Sequence, residues 1–268
     1  MTQKENIYFI GVGGIGMSAL ARYFLANGHR VGGYDKTETA LTKKLSKEGV
    51  EIHYKDDISL VDNSFKDRNK TLVVYTPAIP NKHVEFNYFK QEGFELLKRS
   101  QVLGRITESN KSVGVAGTHG KTTISTIIAH IFKYCEVPFT AFLGGISKDL
   151  GSNYFHDSKS EITVIEADEY DRSFLHLKPS IAIVSAIDPD HLDIYGTKEE
   201  MQRTFKQFLT ENLDENGVGI IHSSLTKVLG KKYKTYSIED KSADYYAANF
   251  RVENTQFIAD FKWAELPV

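Results

Sequence analysis

Two glycine-rich turns and two acidic runs hold the residues of this chain that are able to do chemistry. The run Val113-Gly114-Val115-Ala116-Gly117-Thr118-His119-Gly120-Lys121-Thr122-Thr123 has the make-up of a phosphate cradle. A glycine-rich turn at a helix start offers backbone N–H groups to an anion. Lys121 adds a positive charge for the β- and γ-phosphates, and Thr122 a hydroxyl for Mg²⁺. Val115 stands where the general G-x-x-x-x-G-K-[ST] pattern has glycine, and Gly117 makes the turn tighter, G-T-H-G-K-T. The alternative is a strand–helix turn that binds nothing. It leaves Lys121 at a helix start, where the macrodipole disfavours a cation. His119 either hydrogen-bonds a phosphate or shapes the turn.

The second turn, Gly11-Val12-Gly13-Gly14-Ile15-Gly16, matches G-x-G-x-x-G at Gly11, Gly13 and Gly16. Asp35 follows about 20 residues later, where a dinucleotide fingerprint places its acid. This is a βαβ unit with a diphosphate at the helix start, by default that of NAD(P). The acids form the run Glu166-Ala167-Asp168-Glu169-Tyr170-Asp171. Glu166, at the end of an apolar strand, is the best oxygen ligand for Mg²⁺, with Asp168, Glu169 and Asp171 as rivals. The bland reading is a solvated acidic turn. His191, within Asp188-Pro189-Asp190-His191-Leu192-Asp193, is a second-metal ligand, a phosphate contact or a structural histidine. His29, His53, His83, His130, His156, His176 and His222 are scattered and receive no role.

Alternating strands and helices must position these turns. Strands are expected at 6–10, 30–34, 51–54, 71–75 and 94–98, and helices at 17–27, 40–49, 86–92 and 100–108. The strand at 71–75 delivers Thr76 and Ala78 to the carboxyl edge, where open α/β sheets bind ligands. The polar Ser109-Asn110-Lys111 marks a boundary, giving domains at 1–107 and 108–268. In the second domain Ser112–Ala116 is a strand. Ile124, Ile127, Ile128, Ile131 and Phe132 form one face of the helix after the loop, and Cys135 extends that stripe into the core. Further strands are expected at 139–143, 161–165, 180–187 and 218–222, with a helix at 198–213. A hairpin over 245–263 turns near Asn254, with Phe257, Ala259, Phe261 and Trp263 on one face. The expected fold class is α/β: a Rossmann-like parallel-sheet domain, then an incomplete P-loop-type domain.

The 268 residues, 41% hydrophobic and 25% charged, have the composition of a globular protein. A net charge of −2 gives no sign of nucleic-acid binding. A single cysteine excludes a disulfide framework and fits a reducing cytosol. No secretory h-region is present, and no run approaches the roughly 20 apolar residues of a membrane span. A cytoplasmic protein without membrane insertion is expected, and its oligomeric state is not legible.

The segments FIGVGGIGMSALARYF, VVYTPAIP, VAGTHGKTT, EADEYDRSFLHLKP and DPDHLDIYGT resemble, in order, the Mur ligase family. The tight G-T-H-G-K-T loop is that family's own form. The resemblance implies a UDP-sugar rather than NAD on the first domain. Gly13, Gly14 and Gly16 would lie at the diphosphate and Asp35 near the uridine, with Gly11, Thr76 and Ala78 also binding the UDP-sugar. It implies ATP on Gly117, Thr118, His119, Gly120, Lys121, Thr122 and Thr123. Mg²⁺ would lie on Thr122 and Glu166, with a second metal touching His191. Lys121, Glu166 and His191 would then be the catalytic group. The implied reaction joins UDP-N-acetylmuramate to L-alanine: the carboxylate attacks the γ-phosphate, and the amine displaces phosphate from the acyl phosphate. A branch adding a preformed tripeptide shares these motifs. The family pattern runs on past Val268, which implies a truncated central domain and no C-terminal domain. Two other readings stay open. A non-catalytic UDP-sugar or ATP binder fits the truncation. An NAD-dependent oxidoreductase leaves the second loop without purpose.

Overall fold

The computed structural model describes residues 4–189, 192–253 and 256–263. The chain divides into two compact units, Met1–Lys111 with Ser125–Glu166, and Ser112–Ile124 with Ala167–Val268. In order, the elements begin β1 (Asn6–Ile10), α1 (Ile15–Ala26), β2 (Arg30–Tyr34), α2 (Ala40–Glu48) and β3 (Glu51–His53). They continue with β4 (Thr71–Tyr75), α3 (Val84–Gln91), β5 (Glu95–Lys98), α4 (Arg99–Ser109), β6 (Lys111–Ala116) and α5 (Lys121–Tyr134). Then follow β7 (Phe139–Ser147), β8 (Ser152–His156), β9 (Ile162–Glu166), β10 (Ile181–Val184), α6 (Leu192–Tyr195) and α7 (Lys198–Gln207). The last are β11 (Val218–His222), α8 (Thr226–Leu229), β12 (Lys234–Ser237), β13 (Tyr245–Glu253) and β14 (Gln256–Trp263). The fold is α/β, as expected.

In the first unit the order β3-β2-β1-β4-β5 makes an all-parallel sheet. β1 is its centre and is buried along its whole length, which explains its unbroken apolar run. One core cluster joins Tyr8, Ile10, Val61, Phe65, Val73, Phe89 and Phe94. Thr39 and Thr42 form a reciprocal capping box on α2, and Gly49 closes that helix at φ 109°. The unit also holds β7, with β8 antiparallel to it and β9 parallel to it. Arg22 of α1 donates to Asn153 Oδ1 of β8 at 2.6 Å.

The second unit carries the order β14-β13-β12-β11-β10-β6, parallel from β6 to β13 and closed by the antiparallel hairpin β13–β14. The hairpin is as expected, and its turn at Asn254 lies outside the described residues. Phe174, Phe205 and Phe208 are fully buried against one another. Each contributes about 2–3 kcal/mol relative to an exposed ring.

Several expectations needed correcting. Cys135 is exposed and does not extend a buried stripe. α5 buries Ser125 and Ala129, with Ile128 and Phe132 packed on the cluster of Phe139, Ala141, Leu143 and Val164. Ile127 and Ile131 are half exposed, at 51% and 50%. Small residues let the helix approach the strands closely, so the buried face is centred one residue round from the isoleucine stripe. The strand expected through Ile187 ends at Val184, and the helix expected through Leu213 gives way after Gln207 to a π-turn over Phe208–Asn212. β8 and β12 were not anticipated.

Candidate phosphate-binding sites

In the second unit, β6 ends at Ala116 and the chain turns through Gly117 at φ 136° and Gly120 at φ 81° before α5 begins at Lys121. Both angles favour glycine. A Cβ on Gly117 would strike the Ser185 side chain and lie 3.0 Å from the Ala186 nitrogen. The segment after β10 braces the turn. The Thr118 N–H donates to Ala186 O at 3.0 Å, and the Asp188 N–H to Thr118 Oγ1 at 3.0 Å. Ser185 donates its N–H to Ala116 O at 3.0 Å and its hydroxyl to His119 O. Ser185 thus leaves the line of β10 and holds the loop by these bonds. His119, Gly120, Thr122 and Thr123 face solvent, whereas Thr118 is buried. Residues 117–120 form the turn, and Lys121, Thr122 and Thr123 open α5.

Lys121 does not extend freely from this turn. Its Nζ donates to Gly117 O at 2.8 Å and to Glu169 Oε1 at 2.9 Å. It also lies 2.8 Å from Oε2, an ion contact rather than an aligned hydrogen bond. Glu169 is 1% exposed, and the Tyr195 hydroxyl donates to its backbone carbonyl at 2.6 Å. The acidic run is thus no uniform solvated turn. Glu169 points inward, while the Asp168 carboxylate accepts the Tyr170 N–H at 3.1 Å. Asp171 and Arg172 follow at φ 52° and 54°. Glu166 belongs to the first unit and accepts the Gly144 N–H at 2.9 Å. His191 lies outside the described residues. Among the described residues no group of three or more His, Cys, Asp or Glu is placed to hold a metal. Thr122 and Glu166 each supply an oxygen of the kind Mg²⁺ accepts.

In the first unit, Gly11 takes φ 88°, and its missing Cβ makes room for Thr76 Cγ2, which would lie 2.7 Å away. The N–H groups of Gly11 and Val12 both donate to Tyr34 O, at 2.8 and 3.1 Å. The Gly13 N–H donates to Asp35 Oδ2 at 2.7 Å, and Asp35 Oδ1 accepts the Thr37 N–H at 3.0 Å. Gly14 caps α1 with no side-chain hydrogen bond and no acid in the first turn. The structure therefore brings Gly11 to Thr76 and Gly13 to Asp35. Ala78 sits exposed in the turn after β4.

Beneath this edge lies a buried polar cluster that sequence reasoning missed. Tyr8 donates its hydroxyl to Glu85 Oε2 at 2.7 Å, and His53 Nε2 lies 2.7 Å from the same hydroxyl oxygen. Glu85 is fully buried, and its Oε1 accepts the Asp57 N–H at 3.1 Å. Burial above all pushes the Glu85 carboxyl up to about 7, while burial lowers His53 and His83. His53 Nδ1 faces the Lys55 carbonyl at 2.9 Å and so must carry a proton. Tyr8 has one proton for two 2.7 Å partners. The trio therefore holds one further proton, on Glu85 or on His53 Nε2. Asp56 completes the cluster, accepting the Val84 and Glu85 N–H groups and lying 3.0 Å from His83 Nδ1.

Known proteins supply a frame for these sites. The model of the Mur ligase family, catalytic domain, matches residues 6–111, and that of the Mur ligase middle domain matches 115–268. A UDP-N-acetylmuramate–L-alanine ligase of Phocaeicola vulgatus is 49% identical over 259 residues, covering 96% of this chain and 56% of that relative. The chain thus spans little more than half of the relative's length. Among solved structures, a UDP-N-acetylmuramate–alanine ligase from Thermotoga maritima superposes with a TM-score of 0.81 at 27% identity, covering 96% of this chain and 58% of that one. A UDP-N-acetylmuramate:L-alanyl-γ-D-glutamyl-meso-diaminopimelate ligase from Neisseria superposes with a TM-score of 0.83 at 21% identity, over 97% and 84%. The latter likeness speaks to the fold alone.

Proposed function

The chain belongs to the Mur ligase family, and on that premise we propose that it carries the nucleotide-binding part of an ATP-dependent ligase joining L-alanine to the carboxylate of UDP-N-acetylmuramate. The observation that carries this reading is the Gly117–Gly120 turn, with two left-handed glycines and Lys121 at the start of α5. In this reading residues 1–107 bind the UDP-sugar and residues 108–268 bind ATP. Gly13, Gly14 and Gly16 take the diphosphate at the uncapped start of α1, and Asp35, Thr76 and Ala78 border the nucleoside side. The exposed loop from His119 to Thr123 takes the triphosphate.

Both reactants of the first step are anions, so the site has to screen charge and align them. Lys121 and the amides at the start of α5 supply fixed positive potential. Thr122 and Glu166 would hold Mg²⁺, with a second metal touching His191, and such ions when bound would neutralise phosphate charge. The single cysteine accords with work in the cytoplasm. Calorimetry with UDP-N-acetylmuramate, ATP–Mg²⁺ and NADH tests the reading. Binding of the first two is expected, and tight NADH binding without a response to the UDP-sugar overturns it. Phosphate release is expected to depend on L-alanine. Dependence on a tripeptide instead assigns the protein to the sibling branch.

A further inference from the structure

We infer that Glu169 is a latch on Lys121: it holds the loop's lysine in a closed ion pair that an incoming triphosphate must open. The inference rests on the reading of Gly117–Thr123 as the ATP cradle. An ammonium has three donors. Around Lys121 Nζ, the short positions are taken by Gly117 O at 2.8 Å and by the two Glu169 oxygens at 2.9 and 2.8 Å. Two of the three donors are spent on Gly117 O and Glu169 Oε1, with Oε2 an ion contact beside them, so a phosphate oxygen must compete with the Glu169 carboxylate for the lysine's charge. The pair is also shielded. The Lys121 side chain is 16% exposed and that of Glu169 1%, so water screens their attraction weakly.

The backbone of Glu169 is anchored at its carbonyl. Its backbone carbonyl accepts the Tyr195 hydroxyl, and the Arg172 N–H closes a turn onto the same carbonyl at 3.0 Å. Glu169 thus stays where it is while Lys121, on a flexible four-carbon stem, does the moving. Asp168 turns to the Tyr170 N–H, and Glu166 to the Gly144 N–H. Glu169 is accordingly a positioning residue: it acts on the nucleotide only through Lys121.

The test compares Glu169→Gln, Glu169→Asp and Asp188→Asn in the 268-residue chain. Asp188 lies beside the loop, 3.7 Å from His119, and its removal deletes one negative charge without touching Lys121. The first readout is the rate at which trinitrobenzenesulfonate modifies Lys121 in the nucleotide-free chain, followed by peptide mass spectrometry. Glu169→Gln is expected to speed modification about tenfold, the scale of one charge-assisted hydrogen bond. A wild-type rate overturns the latch. The second readout is ATP–Mg²⁺ affinity. Glu169→Gln is expected to tighten it by about fivefold to tenfold, and Asp188→Asn by clearly less. Weaker or unchanged binding in Glu169→Gln, or equal tightening in both variants, overturns it. Should Glu169→Gln fail to fold, Glu169→Asp keeps the charge on a shorter stem and is expected to expose Lys121 part-way. A wild-type chain that binds no ATP defeats the ATP reading, while the modification rates still decide the latch.

Discussion

Glu85 and Glu169 are both glutamates removed from water, at 0% and 1% exposure, and the two units compensate them in different ways. Glu169 is met by a cation, Lys121, on a loop where His119, Thr122 and Thr123 face solvent. Glu85 is met by Tyr8, His53 and the Asp57 N–H, with Asp56 adding like charge nearby. Among the described residues no lysine or arginine pairs with it, and burial drives the carboxyl to hold its proton up to about pH 7. A carboxylate compensated by a movable lysine can exchange that partner for a ligand. One compensated by a proton answers to pH.

The largest effect should come from Lys121→Met, which leaves the Glu169 charge buried without its cation. Urea unfolding is expected to show a loss of about 3–5 kcal/mol, much of it recovered when Glu169→Leu is added. An unchanged midpoint would mean that Glu169 is not held by charge, and the contrast with Glu85 would collapse.

Next comes Glu85→Gln. The folded carboxyl titrates near 7 and the unfolded one near 4.5, so between these values the folded chain retains a proton that the unfolded chain has released. This group therefore makes stability fall as pH rises through that window. His53 and His83, lowered by burial, act in the opposite sense, adding stability as pH rises through their ordinary range. The variant should remove only the falling component, at most about 3 kcal/mol, measured by urea unfolding across the same pH range. A wild-type pH profile would assign the extra proton elsewhere.

Tyr8→Phe is expected to cost about 1–3 kcal/mol by leaving Glu85 and His53 without their shared hydroxyl. Its penalty should shrink in the Glu85→Gln background, which a double-mutant cycle would read. Smallest is Cys135→Ser, outside both clusters: a stability change within about 0.5 kcal/mol is expected. The native thiol should react with maleimide without denaturant, and a slow reaction would contradict its exposure.

The sequence signalled what depends on near neighbours. The strands around both glycine turns, the turns themselves and the C-terminal hairpin follow from apolar runs, positive-φ residues and period-two alternation. What escaped depends on distant partners. The Tyr8–Glu85 bond joins residues 77 positions apart, and the hold of Ser185 on the loop joins residues 66 apart. No periodicity carries such pairings. Glu169 was legible as an acid near the loop, but nothing local distinguishes it from Asp168. β8 and β12 are short and mix polar with aromatic residues, so no clean alternation marks them. Cys135 was misplaced because helical spacing identifies an apolar stripe without saying which of its flanks meets the sheet. Ala129 and Ser125 settled that, by letting the backbone come close.

The exposed flank of α5 has a bearing on how the protein behaves as a solution. Ile127, Ile131 and Tyr134 present apolar surface at 51%, 50% and 83% exposure, one above another along the helix. With a net charge of only −2, long-range repulsion between molecules is weak. Colloidal interactions should therefore be governed by this strip. Light scattering should give a second virial coefficient that turns negative as sulfate is added, and Ile131→Lys should move that crossing to higher salt.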